Sequence, residues 1–545
     1  MIRALTAPFR RLGRPSADTD KGAIDDGPLL AGYKRAPRRS LVLLLLAALA
    51  LACFAYGFMF GVSAPARMMP FTVPIVVLAG LTIWALPPGD YAPTKLIEPL
   101  FIAFFAAMVL WPNYLAIALP SLPWLTLLRI IGVPLVLVML ICVSVSKRFR
   151  TEMKDIVSTD KLLWQLLALL VLIQALTIAL SSDPGQSLNR FIIAQVNQTA
   201  IFFAACYVFT RERLLEQWVR MLLIMLVILS LFGLWEWRLQ LLPWAGHIPS
   251  YLKVEDEAVQ RILSPRARAS TGIYRVHSTA TTPLGLAEIL GMSMPFAMHF
   301  LFDRYPLWMR VAAAAYIPFT VNVILLTDSR LGVVASLASV IFYLLIWALL
   351  RWRQNRDSVF GPAISLAYPA IFTGFVAATF FIGRLRAQVW GDGSQRASTE
   401  SRIDQWIMGI PKIIRNPLGY GLGRGADELG FANGAGVITI DSYFLSVLLE
   451  LGVLGFIVYF GLLARGAFVG ARTVISSRLD QELRLLVPLS VTIINFIIVK
   501  SVFSQDANHP LIFMMLGAIV AASYRARKAE QASASQVASD APTPR

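Results

Sequence analysis

Asp441 and Ser442 stand at the mouth of an apolar run, in ITIDSYFLSVLLELGVLG over residues 438–455. A carboxylate there can cap the following helix by accepting backbone N–H bonds, and Asp is a favoured cap. It can also take a proton from an acceptor hydroxyl as general base. The two roles are compatible, although strong capping lowers a carboxylate's pKa and weakens it as a base. Glu450, two turns further along, lies deep in the same apolar run and needs a partner, for which pairing across helices is the expectation.

Arginines supply the complementary charge. Arg261, Arg266, Arg268 and Arg275 fall in one polar stretch, and Arg384, Arg386, Arg396, Arg402, Arg415 and Arg424 in a second. Guanidinium groups bind phosphate bidentately and stay charged at any relevant pH. Beside a membrane such sets suit an anionic ligand at headgroup level. The plainer alternatives are pairing with Asp392, Glu400 and Asp404 or contact with ordinary anionic lipid. Arg330 is sharper, because in LLTDSRLGVV it follows Asp328 and Ser329 at the polar break between two apolar runs. A charge near the membrane core costs about 3 kcal/mol, so it is functional or paired. A local Asp328–Arg330 pair capping a tight turn is the alternative. Arg129 lies near the end of an apolar run, where snorkelling relieves it.

RNPLGYGLGRG, Arg415 to Gly425, repeats glycine at 419, 421, 423 and 425. Successive glycines can form a concave nest of N–H groups for an anion. Turn glycines explain the same pattern equally well. The histidines His247, His277, His299 and His509 are isolated, with no ligand spacing, so neither a metal nor another cofactor is expected.

The elements that must hold these residues follow from composition. The 545-residue chain is 57% hydrophobic and 15% charged, against roughly 25% charged in a soluble domain. Its mean hydropathy is +0.65. Blocks such as LVLLLLAALALACFAYGFMF from Leu41 reach the length of about 20 apolar residues that spans a bilayer as helix. An all-α polytopic membrane bundle follows. Spans are expected to begin near Leu41, Phe71, Leu96, Trp124, Leu162, Phe191, Trp218, Thr282, Trp308, Leu331, Ala363, Ser442, Leu485 and His509, about fourteen in all, with twelve as the alternative count. The formal net charge is +17, but the basic residues cluster at span ends and in short connections. That is the positive-inside pattern, not a nucleic-acid surface. It puts KRFR, TRER, RWRQNR and YRARK, and with them both termini, on the cytoplasmic side.

Residues 1–39 read as a disordered basic cytoplasmic tail, 40–524 as the transmembrane domain and 525–545 as a second disordered cytoplasmic tail. Two long connections, 236–281 and 384–441, land outside. Long connections of this kind are uncommon without a function. Cys53, Cys142 and Cys206 fall inside apolar blocks and read as small core residues.

In this order the pieces resemble the O-antigen ligase and Wzy-type polysaccharide polymerase superfamily over roughly residues 272–455. TGIYRVHSTATTPLGLAEILGMSMPF, TDSRLGVVASL, SRIDQWIMGIPKIIRNPLGYGLGRG and IDSYFLSVLLELGVLG carry the resemblance. It implies a glycosyltransferase of the bacterial plasma (inner) membrane with its active site on the periplasmic side. Its donors would be undecaprenyl-diphosphate-linked glycans, handled without a metal. External arginines would hold the diphosphate, and a carboxylate or His would deprotonate the acceptor. Arg275 or its neighbour Arg268, Arg330 and Arg402 match the family's basic positions. Arg415, Gly421 and Gly423 are the candidate contacts from the glycine loop, and Asp441 is the candidate base. Ligases of this kind usually carry His then Asn where this chain has Asp441 and Ser442. That departure favours a polymerase of repeat units, making an exopolysaccharide or O-antigen, over a ligase delivering finished glycan to lipid A–core or protein. A transporter of lipid-linked sugars would more typically show paired halves with interrupted helices and midplane charges, whereas here the polar residues concentrate outside the membrane. Besides the glycans and the lipid bilayer, a chain-length regulator is a candidate partner.

Overall fold

The computed structural model describes residues 92–118, 124–264, 272–354, 359–383, 396–433, 436–476 and 479–539, with residues 51, 80, 82, 83, 86 and 386. By internal packing the chain divides into two units. The first is 1–96 with 138–152, and the second is 97–137 with 153–545. The described part of 138–152 is helical apart from Ser146.

The described chain is overwhelmingly helical. The helices are α1 (Ile97–Leu110), α2 (Leu127–Val145), α3 (Lys147–Val157), α4 (Lys161–Ile178), α5 (Pro184–Ala194), α6 (Ile201–Val208) and α7 (Leu214–Leu239). After them come α8 (Glu257–Leu263), α9 (Pro283–Phe302), α10 (Leu307–Leu326), α11 (Arg330–Gln354) and α12 (Phe360–Phe381). The series ends with α13 (Arg396–Arg415), α14 (Gly425–Leu429), α15 (Tyr443–Ser476), α16 (Leu486–Lys500) and α17 (His509–Ser539). A wider turn at Gln195–Ala200 joins α5 to α6. A two-residue ladder, β1 (Ala116–Ile117) with β2 (Leu125–Thr126), lies between α1 and α2.

Eleven helices among the described residues are long and apolar enough to cross a membrane. They coincide with eleven of the spans expected from hydropathy. The expected span near Leu96 is the 14-residue α1, and those near Leu41 and Phe71 lie outside the described residues, as do 1–39. α17 runs on to Ser539, so residues 525–539 are helical where an irregular tail was expected.

Local sequence explains where the helices begin. Asp160 caps α4 by accepting Leu163 N–H at 2.8 Å, and Asp183 caps α5 from Gln186 N–H at 3.0 Å with Pro184 in the first turn. Thr282 does the same for α9, again ahead of a proline. Each cap satisfies a donor the helix itself leaves unpaired.

In the second unit α9 packs among α10, α11 and α16, while α15 lies against α4, α16 and α17. α9 is buried along almost its whole length. One end of this bundle is stitched by ion pairs. Glu482 meets Arg525 at 2.7 Å and accepts the N–H groups of Arg213 and Leu215. Asp303 meets Arg484 at 2.9 Å, and Asp160 meets Arg465 at 2.6 Å. The other end gathers the two long connections. The first contains α8, which packs through Val259 with Leu242, Val254, Tyr114 and Ala116. The second contains α13 and α14, so its described part is largely helical.

Candidate functional site

α13 lies across the beginning of α15. Trp406 and Ile413 pack on Leu445 and Leu449, and the helices approach so closely that a Cβ at Gly409 would stand 2.6 Å from Leu445 Cδ1. Gln405, 1% exposed, accepts the backbone N–H of Asp441 at 2.8 Å. Its own amide nitrogen is buried with no hydrogen-bond partner among the described residues. Arg402 precedes Gln405 by three residues and so shares its helix face.

The cap of α15 is Ser442, whose Oγ accepts Leu445 N–H at 3.4 Å and whose carbonyl accepts Ser446 N–H. Asp441 stands one residue outside the helix. Among the described residues nothing hydrogen-bonds or ion-pairs with its carboxylate.

The connection 501–508, between α16 and α17, ties this point to the first long connection. Ser504 Oγ donates to Ile440 O, and Thr282 Oγ1 donates to Gln505 Oε1 at 2.8 Å. Beneath it lies a fully buried ion pair, Lys500 Nζ to Glu288 Oε1 at 2.9 Å. Asn508 donates to the other carboxylate oxygen of Glu288 at 2.7 Å, and Lys500 also donates to Gln505 O. The rings of Tyr443, Phe496 and Phe503 surround the ammonium. Phe503 and Val499 pack on Leu331, which brings the first turn of α11, with Arg330, to the same end.

The segment 272–282 closes this group. Arg275 Nε donates to Thr327 O at 2.9 Å, and Val276 N–H pairs with Leu326 O at 3.2 Å. Glu236, fully buried at the end of α7, holds the segment by accepting Tyr274 Oη at 2.9 Å, Ser278 N–H at 2.6 Å and the N–H of His277. His277 Nε2 lies 3.7 Å from Glu236, and its Nδ1 lies 2.9 Å from Ala280 O. Burial, then the Glu236 charge, push the Tyr274 phenol well above its usual pKa, so it remains a donor. Ser278 (φ 52°) and Asp328 (φ 46°) adopt left-handed backbone without being glycine. Such strain collects at functional sites and persists only where the surroundings over-determine it.

The glycine loop does something else. α15 breaks at Gly452 (φ 71°), and the loop fills the gap. Tyr420 and Gly421 N–H bond to Leu449 O and Glu450 O at 2.7 and 3.1 Å, and Val453 N–H bonds to Pro417 O at 3.0 Å. A Cβ at Gly421 (φ 103°) would stand 2.5 Å from Ser181 Cβ, so only glycine fits. The Glu450 carboxylate accepts Ser446 Oγ at 2.8 Å and Gly423 N–H. Its partners are therefore its own helix and this loop, where pairing to another helix was expected.

The candidate residues accordingly fall into two groups. Asp441, Arg330 and Arg275 lie on segments that meet the 501–508 connection, through Ile440, Leu331 and Thr282, and Arg402 lies on the face of α13 whose Gln405 meets Asp441. Gly421 and Gly423 lie against Ser181, Ser187 and Arg190. Arg415 heads that loop at the far end of α13, about 20 Å along the helix from Arg402 at 1.5 Å per residue. Arg415 is exposed, while Arg424 is bound by Gln186 and Asp427. Arg268, Arg266 and Arg384 lie outside the described residues, and Arg261 pairs with Glu257. Sequence reasoning passed over Gln405, Glu236 and the Lys500–Glu288 pair. Lys500 and Glu288 did carry a signal, a lone charge inside an apolar run. Among the described residues no group of three His, Cys, Asp or Glu side chains is placed to hold a metal ion.

Residues 315–460 match the family model described as Wzy_C, O-Antigen ligase. The matched region, about a quarter of the chain, includes Arg330, Arg402, the glycine loop and Asp441, and bears out the resemblance carried by those motifs. No curated protein matches the chain.

Proposed function

Taking the chain as a membrane enzyme of the O-antigen ligase and Wzy-type superfamily, we propose that it polymerises undecaprenyl-diphosphate-linked repeat units on the periplasmic face of the inner membrane. Asp441 accepts the proton of an acceptor sugar hydroxyl. The hydroxyl oxygen bonds to the anomeric carbon of the donor glycan, and the bond to the diphosphate oxygen breaks. The electron pair leaves on undecaprenyl diphosphate, whose charge Arg402, Arg330 and Arg275 offset. A diphosphate is an activated leaving group, so alignment and charge stabilisation are what the enzyme must add.

One observation carries this reading. Ser442 performs the capping that was one of the two roles open to Asp441, which leaves the Asp441 carboxylate uncommitted beside the face of α13 that bears Arg402 and Gln405. The unpartnered amide nitrogen of Gln405 suits an oxygen of the incoming sugar. The description of the matched family favours a second reading, a ligase that transfers finished glycan to lipid A–core or protein.

Mass analysis of lipid-linked glycans from the native host carrying Asp441→Asn separates the two. Accumulated single repeat units support the polymerase, and long chains stranded on undecaprenyl diphosphate support the ligase. An unchanged profile at normal protein level overturns the catalytic role of Asp441.

A further inference from the structure

At the opposite end of α9, about 30 Å from Thr282 along its 20 residues, the bundle holds a cavity of about 180 Å³ lined by His299, Asp303, Arg304, Trp347, Arg351 and Arg484, among others. Its floor is built and buried. His299 is 2% exposed. Its Nδ1 lies 3.4 Å from Tyr343 Oη, and its Nε2 faces Asp303 Oδ2 at 3.6 Å, with neither Nε2 nor Oδ2 hydrogen-bonded among the described residues. Arg484 Nη1 pairs with Asp303 Oδ1 at 2.9 Å, while its buried Nε has no hydrogen-bond partner among the described residues.

The rim is cationic and aromatic. Arg351 stacks on Trp347 with its guanidinium carbon 5.6 Å from the ring centroid. Arg304 is exposed, and no carboxylate among the described residues pairs with either of them. Asp303, the acidic residue of the lining, is committed to Arg484. The walls above are apolar, with Phe302, Leu350 and Val487. An excess of guanidinium charge over a polar floor, opening between helices long enough to span a membrane and beside a Trp about two turns from the end of α11, has the composition that recognises a phosphorylated headgroup.

We propose that this cavity binds a phosphate ester, with Arg304 and Arg351 gripping the phosphate oxygens, and that its occupant is the headgroup of an anionic phospholipid whose acyl chains follow Phe302 and Leu350. The site is separate from the Asp441 group and does not depend on the reaction assigned there.

Native mass spectrometry of the full-length protein in detergent tests it, with phosphatidylglycerol, phosphatidylcholine and inorganic phosphate as probes. Phosphatidylglycerol should be retained in preference to phosphatidylcholine, and the Arg304→Ala/Arg351→Ala variant should bind it about tenfold more weakly, the loss of one good charge-assisted contact. Lys161→Ala, a change at an exposed cation of the same end outside the lining, should bind as the parent does. Arg351→Ala alone serves if the double variant unfolds. Thermal protection by inorganic phosphate, lost in the same variants, without lipid retention would keep the phosphate site and assign it a soluble ester. Equal phosphatidylglycerol binding by parent and arginine variants, or equal weakening by Lys161→Ala, would overturn the proposal.

Discussion

Replacing Lys500 by Met removes the cation of a pair whose side chains are both fully buried. Glu288 then keeps only the Asn508 contact at 2.7 Å, and the Gln505 carbonyl loses its donor. Leaving one partner of a buried pair unmatched costs about 3–5 kcal/mol. The reverse change, Glu288→Gln, strands the ammonium among three aromatic rings and falls in the same range. The double variant removes both charges, and Gln can still accept from Asn508, so its loss should be smaller than that of either single variant. A coupling of about 2 kcal/mol or more is expected from groups in direct contact. Because Lys500 also fastens the connection whose Ser504 holds Ile440, the single variants should lower glycan transfer as well. The cycle is measured by titrating denaturing detergent into mixed micelles and following helicity by circular dichroism. Additive losses in the double variant would refute the buried-pair argument. Full transfer activity in a folded Lys500→Met protein would refute the link from the pair to Asp441.

Gly421→Ala combines left-handed backbone strain with a 2.5 Å clash against Ser181, costing about 2–5 kcal/mol. Gly436→Ala, with φ 73° and nothing within 4 Å, should cost about 1 kcal/mol by the same assay, the backbone part alone. Ser442→Ala should cost about 0.5–2 kcal/mol of stability and spare transfer at permissive temperature, whereas Asp441→Asn should abolish transfer with stability intact. Asp160 is partly buried, which raises its pKa, but Arg465 and the cap of α4 outweigh that and hold it below the usual carboxylate value. The lowered folded value means that its stabilisation is present at neutral pH and disappears as acid protonates it below about pH 4. Asp160→Asn should therefore flatten the acid limb of the stability–pH curve.

Much of the fold was legible because spanning a bilayer leaves few choices. A backbone out of water must satisfy its own hydrogen bonds, so each apolar block becomes a helix, and Asp160, Asp183 and Thr282 mark where helices start. The sequence also singled out Asp441 and Arg330, because charge is rare beside apolar runs, and the glycine run, because glycine at every second position is unusual. It left undecided whether Asp441 would cap α15 or stand free to take a proton. In the folded protein Ser442 is the cap, while Gln405 of α13 holds the Asp441 backbone.

Only tertiary structure decided the rest. The glycine spacing allowed an anion nest, yet two of those N–H groups go to the backbone and carboxylate of Glu450 where α15 breaks at Gly452. Nothing local announces that break, because a glycine within an apolar helix is common in membrane spans. Glu288 and Lys500 stand 212 positions apart in the chain, and each alone reads as a lone buried charge without a partner. Composition and period specify what each segment becomes. Which buried charge meets which is set by the packing of α9, α15 and α16, and that is a property of the assembled bundle.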